Sequence, residues 1–154
     1  MTSPLVLLSV RSPHVDRLLS GEKTVEFRRR PWRVADGATV LLYGSRDWRA
    51  IVGSMIVKST TVGSPSAMWT AHGSKSGLAR SEYRTYFAGA GVAVAIEVGG
   101  VRCLEEPLTL EELRRRSPSF QVPQSYRFMP AEEVAVVLNG ERVALFAAQN
   151  GAKY

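Results

Sequence analysis

Cysteine and histidine are nearly missing from this chain: Cys103 is the one cysteine, and His14 and His72 are the two histidines. A single cysteine excludes an internal disulfide and fits a reducing compartment. The histidines are far apart in sequence and share no ligand spacing with Cys103, which argues against a structural zinc site. Long apolar runs are also missing. Nothing approaches the roughly 18 residues of a membrane span, and Leu5–Val10 is too short, and without a basic lead, to be a secretory signal. A soluble, cytoplasmic protein is therefore expected. The Gly73-Ser74-Lys75-Ser76-Gly77 stretch does not have the phosphate-loop pattern and reads as a mobile lid or linker. Ser45 is outside any nucleophile-elbow context, which argues against a serine hydrolase. There is no internal repeat, no low-complexity segment and no regular alternation of strand and helix, so a doubly wound sheet is excluded.

What is present is positive charge, unevenly placed. The net charge is +6 and the isoelectric point near 9.9, which makes polyanions plausible partners. Between Arg11 and Arg33 seven basic residues stand against three acidic ones, a local +4 within 154 residues carrying +6. The centre of this stretch is Gly21-Glu22-Lys23-Thr24-Val25-Glu26-Phe27-Arg28-Arg29-Arg30. A chain of this length is expected to form one domain, 1–154, with a real core.

Taken in order, Leu5–Val10 is a continuous apolar run and reads as a buried strand. Ser12-Pro13 reads as an N-cap with proline at the first helical position, followed by an apolar face at His14, Val15, Leu18 and Leu19. Gly21 is placed to end that helix. Lys23–Arg30 is expected to be a strand stopped by Pro31. Strands are also expected at Ala38–Tyr43, Ala50–Thr60, Val92–Val98 and Val101–Leu104, with a bend at Gly99-Gly100. Ser64-Pro65 opens a short helix, and Ser81–Phe87 reads as another. Thr109–Glu112 has the form of a capping box ahead of a helix that ends at Arg114–Arg116. Gln124–Met129 is extended, residues 130 to about 138 are helical, Glu141–Ala148 reads as a terminal strand, and the last residues fray. The pattern favours a mixed β-barrel or α+β domain.

Several groups have functional chemistry. On a strand, Glu26, Arg28 and Arg30 share one face and Val25 and Phe27 the other. A carboxylate between cations on an open face can orient a base edge, a water or a metal. A solvated edge that blocks strand pairing explains the same charges. Arginine forks suit phosphate, and Trp32 is a candidate for base stacking or for the core. Tyr43, Ser45 and Arg46 sit at a strand end, a usual place for a binding loop. Gln124, Ser125 and Tyr126 offer an amide and two hydroxyls in extended backbone. Cys103, in an apolar strand, reads as inert core.

The order of these segments carries a resemblance. A strand leads to Ser12-Pro13 and a helix, then to Gly21-Glu22-Lys23-Thr24-Val25-Glu26-Phe27-Arg28. Tyr43-Gly44-Ser45, Ile51-Val52-Gly53, Glu82-Tyr83 with Tyr86-Phe87-Ala88-Gly89, and Pro123-Gln124-Ser125-Tyr126 follow. The chain resembles the ASCH domain family over about residues 5–130, with 131–154 as an extension; the Gly-x-Lys-x-x-Glu-x-Arg core is the most specific part. The resemblance implies an α+β fold, a PUA-like half-open mixed β-barrel with short inserted helices. It also implies RNA binding in a cleft lined by the motif. One member of that family is a metal-dependent ribonuclease, and another branch deacetylates N4-acetylcytidine with a lysine, a threonine and a distant glutamate. Lys23 matches that lysine. Glu26 stands where the threonine is expected, and no glutamate occurs near Ser74–Ser76, so a ribonuclease ranks ahead of an amidohydrolase.

The expected protein binds RNA, or a small nucleoside-like ligand, in a basic cleft. Arg11, Lys23, Arg28 and Arg30 would contact phosphate. Glu26 would orient a base or a water, and Tyr43, Ser45, Arg46, Gln124, Ser125 and Tyr126 would complete the pocket. If it is an enzyme, Lys23 and Glu26 are the candidate acid–base pair. Binding would need no cofactor or resident metal, whereas a nuclease would use Mg²⁺ or Mn²⁺. A regulator that senses a small ligand is the remaining class.

Overall fold

The computed structural model describes residues 5–141 together with 144 and 145. Six strands form one sheet: β1 (Leu5–Arg11), β2 (Val25–Arg28), β3 (Thr39–Ser45), β4 (Ala50–Gly63), β5 (Ala93–Thr109) and β6 (Tyr126–Met129), in the order β2-β5-β4-β3-β1-β6. Only β1 and β3 run parallel; the other neighbours are antiparallel. Among the described residues up to 141, five short α-helices decorate the sheet: α1 (His14–Ser20), α2 (Pro65–His72), α3 (Arg80–Tyr86), α4 (Leu110–Arg116) and α5 (Ala131–Val137). This is the expected mixed half-barrel with inserted helices.

Strand alternation explains why the apolar runs are continuous. Along β1, Val6, Leu8 and Val10 enter the barrel core with Val40, Leu42, Val52, Met55 and Ile96. Leu5 and Leu7 point the other way, into a second core under α4 and α5 with Tyr43, Leu113, Phe120 and Val137. Both faces of the central strands are covered, so neither shows a polar alternation. A third core joins Val25 and Phe27 of β2 to Met68 of α2, Tyr83 of α3 and Phe87 at the C-terminal cap of α3. There the Phe27 and Tyr83 rings meet edge-on, with centroids 4.8 Å apart.

Local signals behave unevenly. Gly21 ends α1 at φ +85°, and Ser64 caps α2 by accepting the Ala67 amide. Ser12 does not cap α1: the helix starts at His14 after Pro13, and the Ser12 hydroxyl has no partner among the described residues. Thr109 caps α4 by accepting from the Glu112 amide, but the Glu112 carboxylate turns to Arg115 and Arg116, so only half of the expected box forms. The two predicted strands at 92–104 are one 17-residue strand, bent where Gly100 adopts φ +56° beside a register shift in β4. The predicted terminal strand at Glu141–Ala148 is not seen where it can be checked: Ala144 and Leu145 are helical, with the Leu145 amide bonded to the Glu141 carbonyl. The remainder of that prediction, and the fraying tail, lie outside the described residues.

The sheet curls until its ends approach without pairing. Side chains bridge the seam. The Arg28 guanidinium on β2 donates to the Ser9 carbonyl on β1 at 3.2 Å. Just beyond, the Arg33 amide donates to the Tyr126 hydroxyl at 3.1 Å, and Trp32 packs on the Tyr126 ring. The barrel is half-open here, and this opening is where the site lies.

Candidate functional site

Strand β2 is short because Arg29 and Arg30 already lie in a bend, outside the ladder. Its two faces do different things. Val25 and Phe27 hold it to the α3 layer. The Glu26 and Arg28 face is not the open edge that alternation suggested, but a buried wall: Glu26 is 6% exposed and Lys23 2%. Glu26 joins two cations, with Lys23 Nζ at 3.4 Å and Arg28 Nη2 at 2.7 Å. Burial pushes the Glu26 carboxyl up, but the adjacent Arg28 and Lys23 charges outweigh it and hold the group below its ordinary range. Glu26 is therefore an anion at neutral pH and a weak base.

Lys23 shows why the 73–77 stretch is not a lid. Its Nζ donates to the Ser76 carbonyl at 2.6 Å, the Thr24 amide donates to the Lys75 carbonyl, and Arg17 donates to the Gly77 carbonyl at 2.7 Å. Ser76 is fully buried and its hydroxyl donates to the Gly73 carbonyl. The loop is a docked clamp that fixes the lysine. Its flexible-looking composition serves a tight 3-10 turn, with Gly77 at φ +70°.

These groups line a cavity of about 840 Å³ at the open seam. The end of β1 supplies Ser9, Val10 and Arg11; β2 supplies Glu26, Phe27 and Arg28; Ser45 closes one side and Gln124 another. The remaining wall was missed in the sequence: His14 at the start of α1, and Ser81, Glu82, Thr85 and Tyr86 on one face of α3. The signal for α3 was present, because Ser81, Glu82 and Thr85 form a polar stripe opposite Tyr83 and Phe87. His14 has its Nδ1 buried without a partner among the described residues.

Of the predicted site residues, Arg11, Lys23, Glu26, Arg28, Ser45 and Gln124 are brought together here. Arg30 lies past the strand end, exposed, and does not line the cavity. Arg46 is exposed in the turn after β3 at φ +68°. Ser125 uses its carbonyl to accept the Ser9 amide, and Tyr126 closes the seam rather than the cavity. Tyr43 is on the other face of the sheet, in the second core. Burial raises its phenol's affinity for the proton against the opposing pull of Arg49 and Arg114. Those two arginines, with Leu110 and Glu111, line a smaller hollow of about 360 Å³. Cys103 is exposed, not core.

Among the described residues, no group of three or more His, Cys, Asp or Glu side chains is placed to hold a metal ion. Glu26 has both oxygens committed to cations. The described residues do not fit a protein metal cage. No helix among the described residues is long and apolar enough to cross a membrane.

Fold and site together define a PUA-like half-barrel whose motif strand forms the wall of an open seam. Residues 5–116 match a family described as "Domain of unknown function (DUF365)". An ASCH domain-containing ribonuclease of Zymomonas mobilis is 31% identical over 116 residues, covering 75% of this chain and 78% of that protein. The crystal structure of ASCH from Zymomonas mobilis superposes with a TM-score of 0.83 at 27% identity, covering 89% of this chain and 95% of that one. The N-terminal domain of Staphylothermus marinus McrB shares the fold alone, with a TM-score of 0.61 at 10% identity over 91% and 96% of the two chains. The chain belongs to the ASCH domain family and is a homologue of an ASCH ribonuclease.

Proposed function

We propose that this protein binds single-stranded RNA at the seam cavity and cleaves it there. The observation that carries the reading is the buried Lys23–Glu26–Arg28 cluster, which faces a cavity also lined by Arg11, in a chain homologous to a ribonuclease. The Arg11 fork can grip a phosphodiester with two parallel bonds, which a lysine does less specifically, and the Arg28 charge lies in the same cavity wall. Glu26, an anion paired to both neighbours, acts here by holding the two cations in place. This role replaces the general-base role that spacing suggested for it, because a carboxylate held below its ordinary range accepts a proton poorly.

The cavity volume is also within the usual range for a small-molecule pocket, so hydrolysis of a modified nucleoside is the second reading. One experiment separates them. Labelled single-stranded RNA and free N4-acetylcytidine are each incubated with the protein, with and without Mg²⁺ or Mn²⁺, and the products are resolved by gel and by chromatography. The expected result is cut RNA and unchanged nucleoside, with the rate at low RNA concentration falling at least about tenfold in Arg11→Ala, as loss of a charged hydrogen bond to phosphate implies. RNA left intact in every condition would sink the ribonuclease reading; deacetylated nucleoside would establish the other.

A further inference from the structure

The walls of the seam cavity differ in charge. Its cations, Arg11, Lys23 and Arg28, come from β1, from the segment before β2 and from β2 itself. The wall given by α3 has none. Ser81, Glu82, Thr85 and Tyr86 line the cavity there, and the charged group among them is a carboxylate. A phosphate is drawn to the first wall and repelled by the second, so a nucleotide in this cavity turns its base to α3. We propose that the Tyr86 ring stacks a nucleobase of single-stranded RNA there, which makes α3 the base-binding side of the site; the inference deepens the ribonuclease reading above and rests on it.

The helix explains why this ring is available. Glu82 and Tyr86 are four residues apart, and so are Ser81 and Thr85, which puts all four on one side of α3. The other side is the third core, where Tyr83 is 3% exposed and Phe87 5%. Tyr86 is left out of that core and keeps 39% of its surface open at the cavity.

The ring is nonetheless held. Arg29 Nη1 donates to the Tyr86 carbonyl at 2.7 Å, and the guanidinium stands over the ring, 6.0 Å from its centroid. The Phe87 ring meets it at 83°, with centroids 4.8 Å apart. A ring already fixed gives up little freedom when a base settles on it. Glu82 is fixed as well, its Oε1 accepting the Ala79 amide at 2.9 Å, which holds the repelling charge on the first turn of the helix. Arg29 follows Arg28 directly, so one segment of chain supplies a cation of the phosphate wall and the residue that pins the stacking ring. Stacking accepts any base, because every base has a π-face. The site should therefore require a base at this position without selecting which one.

The test uses the full chain and short 2′-O-methyl RNA, checked intact by gel, in which one position at a time is made abasic. Affinities for wild type, Tyr86→Phe and Tyr86→Leu are read by fluorescence anisotropy; leucine keeps an apolar cover over Phe87. In wild type, one abasic position should weaken binding roughly 5–150-fold, the usual worth of a stacked base, while exchanging the base there among all four should change it by less than about threefold. Tyr86→Leu should lose a comparable factor on intact RNA, and Tyr86→Phe should stay within about threefold of wild type. On RNA abasic at the sensitive position, wild type and Tyr86→Leu should agree within about twofold, because the same contact is missing in both. Their salt slopes should be equal, since no phosphate contact is lost. No sensitive position, Tyr86→Leu matching wild type on intact RNA, a loss in Tyr86→Leu that persists on every abasic RNA, or a shallower salt slope would overturn the inference and leave the ribonuclease reading standing. RNA neither bound nor cut by wild type overturns both. A readout on wild type alone guards against a variant that disturbs α3: 5-iodouracil at the sensitive position should, on irradiation, join to Tyr86, and no crosslink at Tyr86 counts against the proposal.

Discussion

Glu26→Gln tests the claim that this carboxylate is the electrostatic keystone of the site. The substitution keeps the shape and one acceptor but removes the charge between Lys23 Nζ at 3.4 Å and Arg28 Nη2 at 2.7 Å. Lys23 is then left 2% exposed with the Ser76 carbonyl as its remaining strong contact. Removing one partner of a buried ion pair costs about 3–5 kcal/mol, and the retained acceptor places Gln at the low end, near 3 kcal/mol. In a domain of this size that is a fall in Tm of about 6–12 °C. The pH dependence has a definite sign. The folded carboxyl lies below its ordinary value of 4.5, so its stabilisation is complete above that value and is lost as pH falls through the lower folded one. Urea denaturation followed by circular dichroism should therefore show the largest gap between wild type and variant at pH 7, narrowing below pH 4.5. A variant within about 0.5 kcal/mol of wild type at pH 7, the scatter of ordinary surface changes, or a gap that widens in acid, would refute the reasoning.

Other expectations follow from the same structure. Gly53→Ala puts a Cβ 2.2 Å from the Arg102 carbonyl and 2.9 Å from Leu19, so backbone must move; a loss of about 3 kcal/mol, the top of the overpacking range, is expected in urea titration, and a neutral result would contradict the β4–β5 register. RNA affinity should fall with salt at a log–log slope of about −2 if Arg11, Lys23 and Arg28 each neutralise one phosphate, and toward −3.5 if the exposed Arg29 and Arg30 join them. A flat response in fluorescence anisotropy would indicate a neutral ligand.

The strands β1, β3 and β4, the αL end of α1 at Gly21 and the cap at Ser64 were legible because each depends on neighbours in sequence. The pairing of Lys23, Glu26 and Arg28 was legible as a motif, but not its burial. That burial comes from the 73–77 clamp and α3, which return to the strand from fifty or more residues away. The same distance hid Glu82, whereas His14, close in sequence, reads as part of the apolar face of α1; local composition misled at 73–77, where Gly and Ser serve a docked turn instead of a mobile one. Tyr43 was drawn toward the site by standing two residues before Ser45. Alternation alone puts both on one face, but Tyr43 packs into the second core under α4, while Ser45, at the last position of β3, lines the cavity. Cys103 sits on a strand beyond the Gly99-Gly100 bend, where one face is open, which an apolar neighbourhood in sequence does not reveal.

Whether RNA enters the seam cavity can be read by photo-crosslinking. Single-stranded RNA carrying 4-thiouridine is irradiated with the protein, and the attached peptides are identified by mass spectrometry. Crosslinks should fall on the cavity walls, at residues 78–86 in and just before α3 and 122–124 before β6, and should be lost in Arg11→Glu but kept in the charge-matched Lys58→Glu, whose residue does not line the cavity. Crosslinks confined to the opposite face around Arg49 and Arg114, or unchanged by Arg11→Glu, would contradict the account.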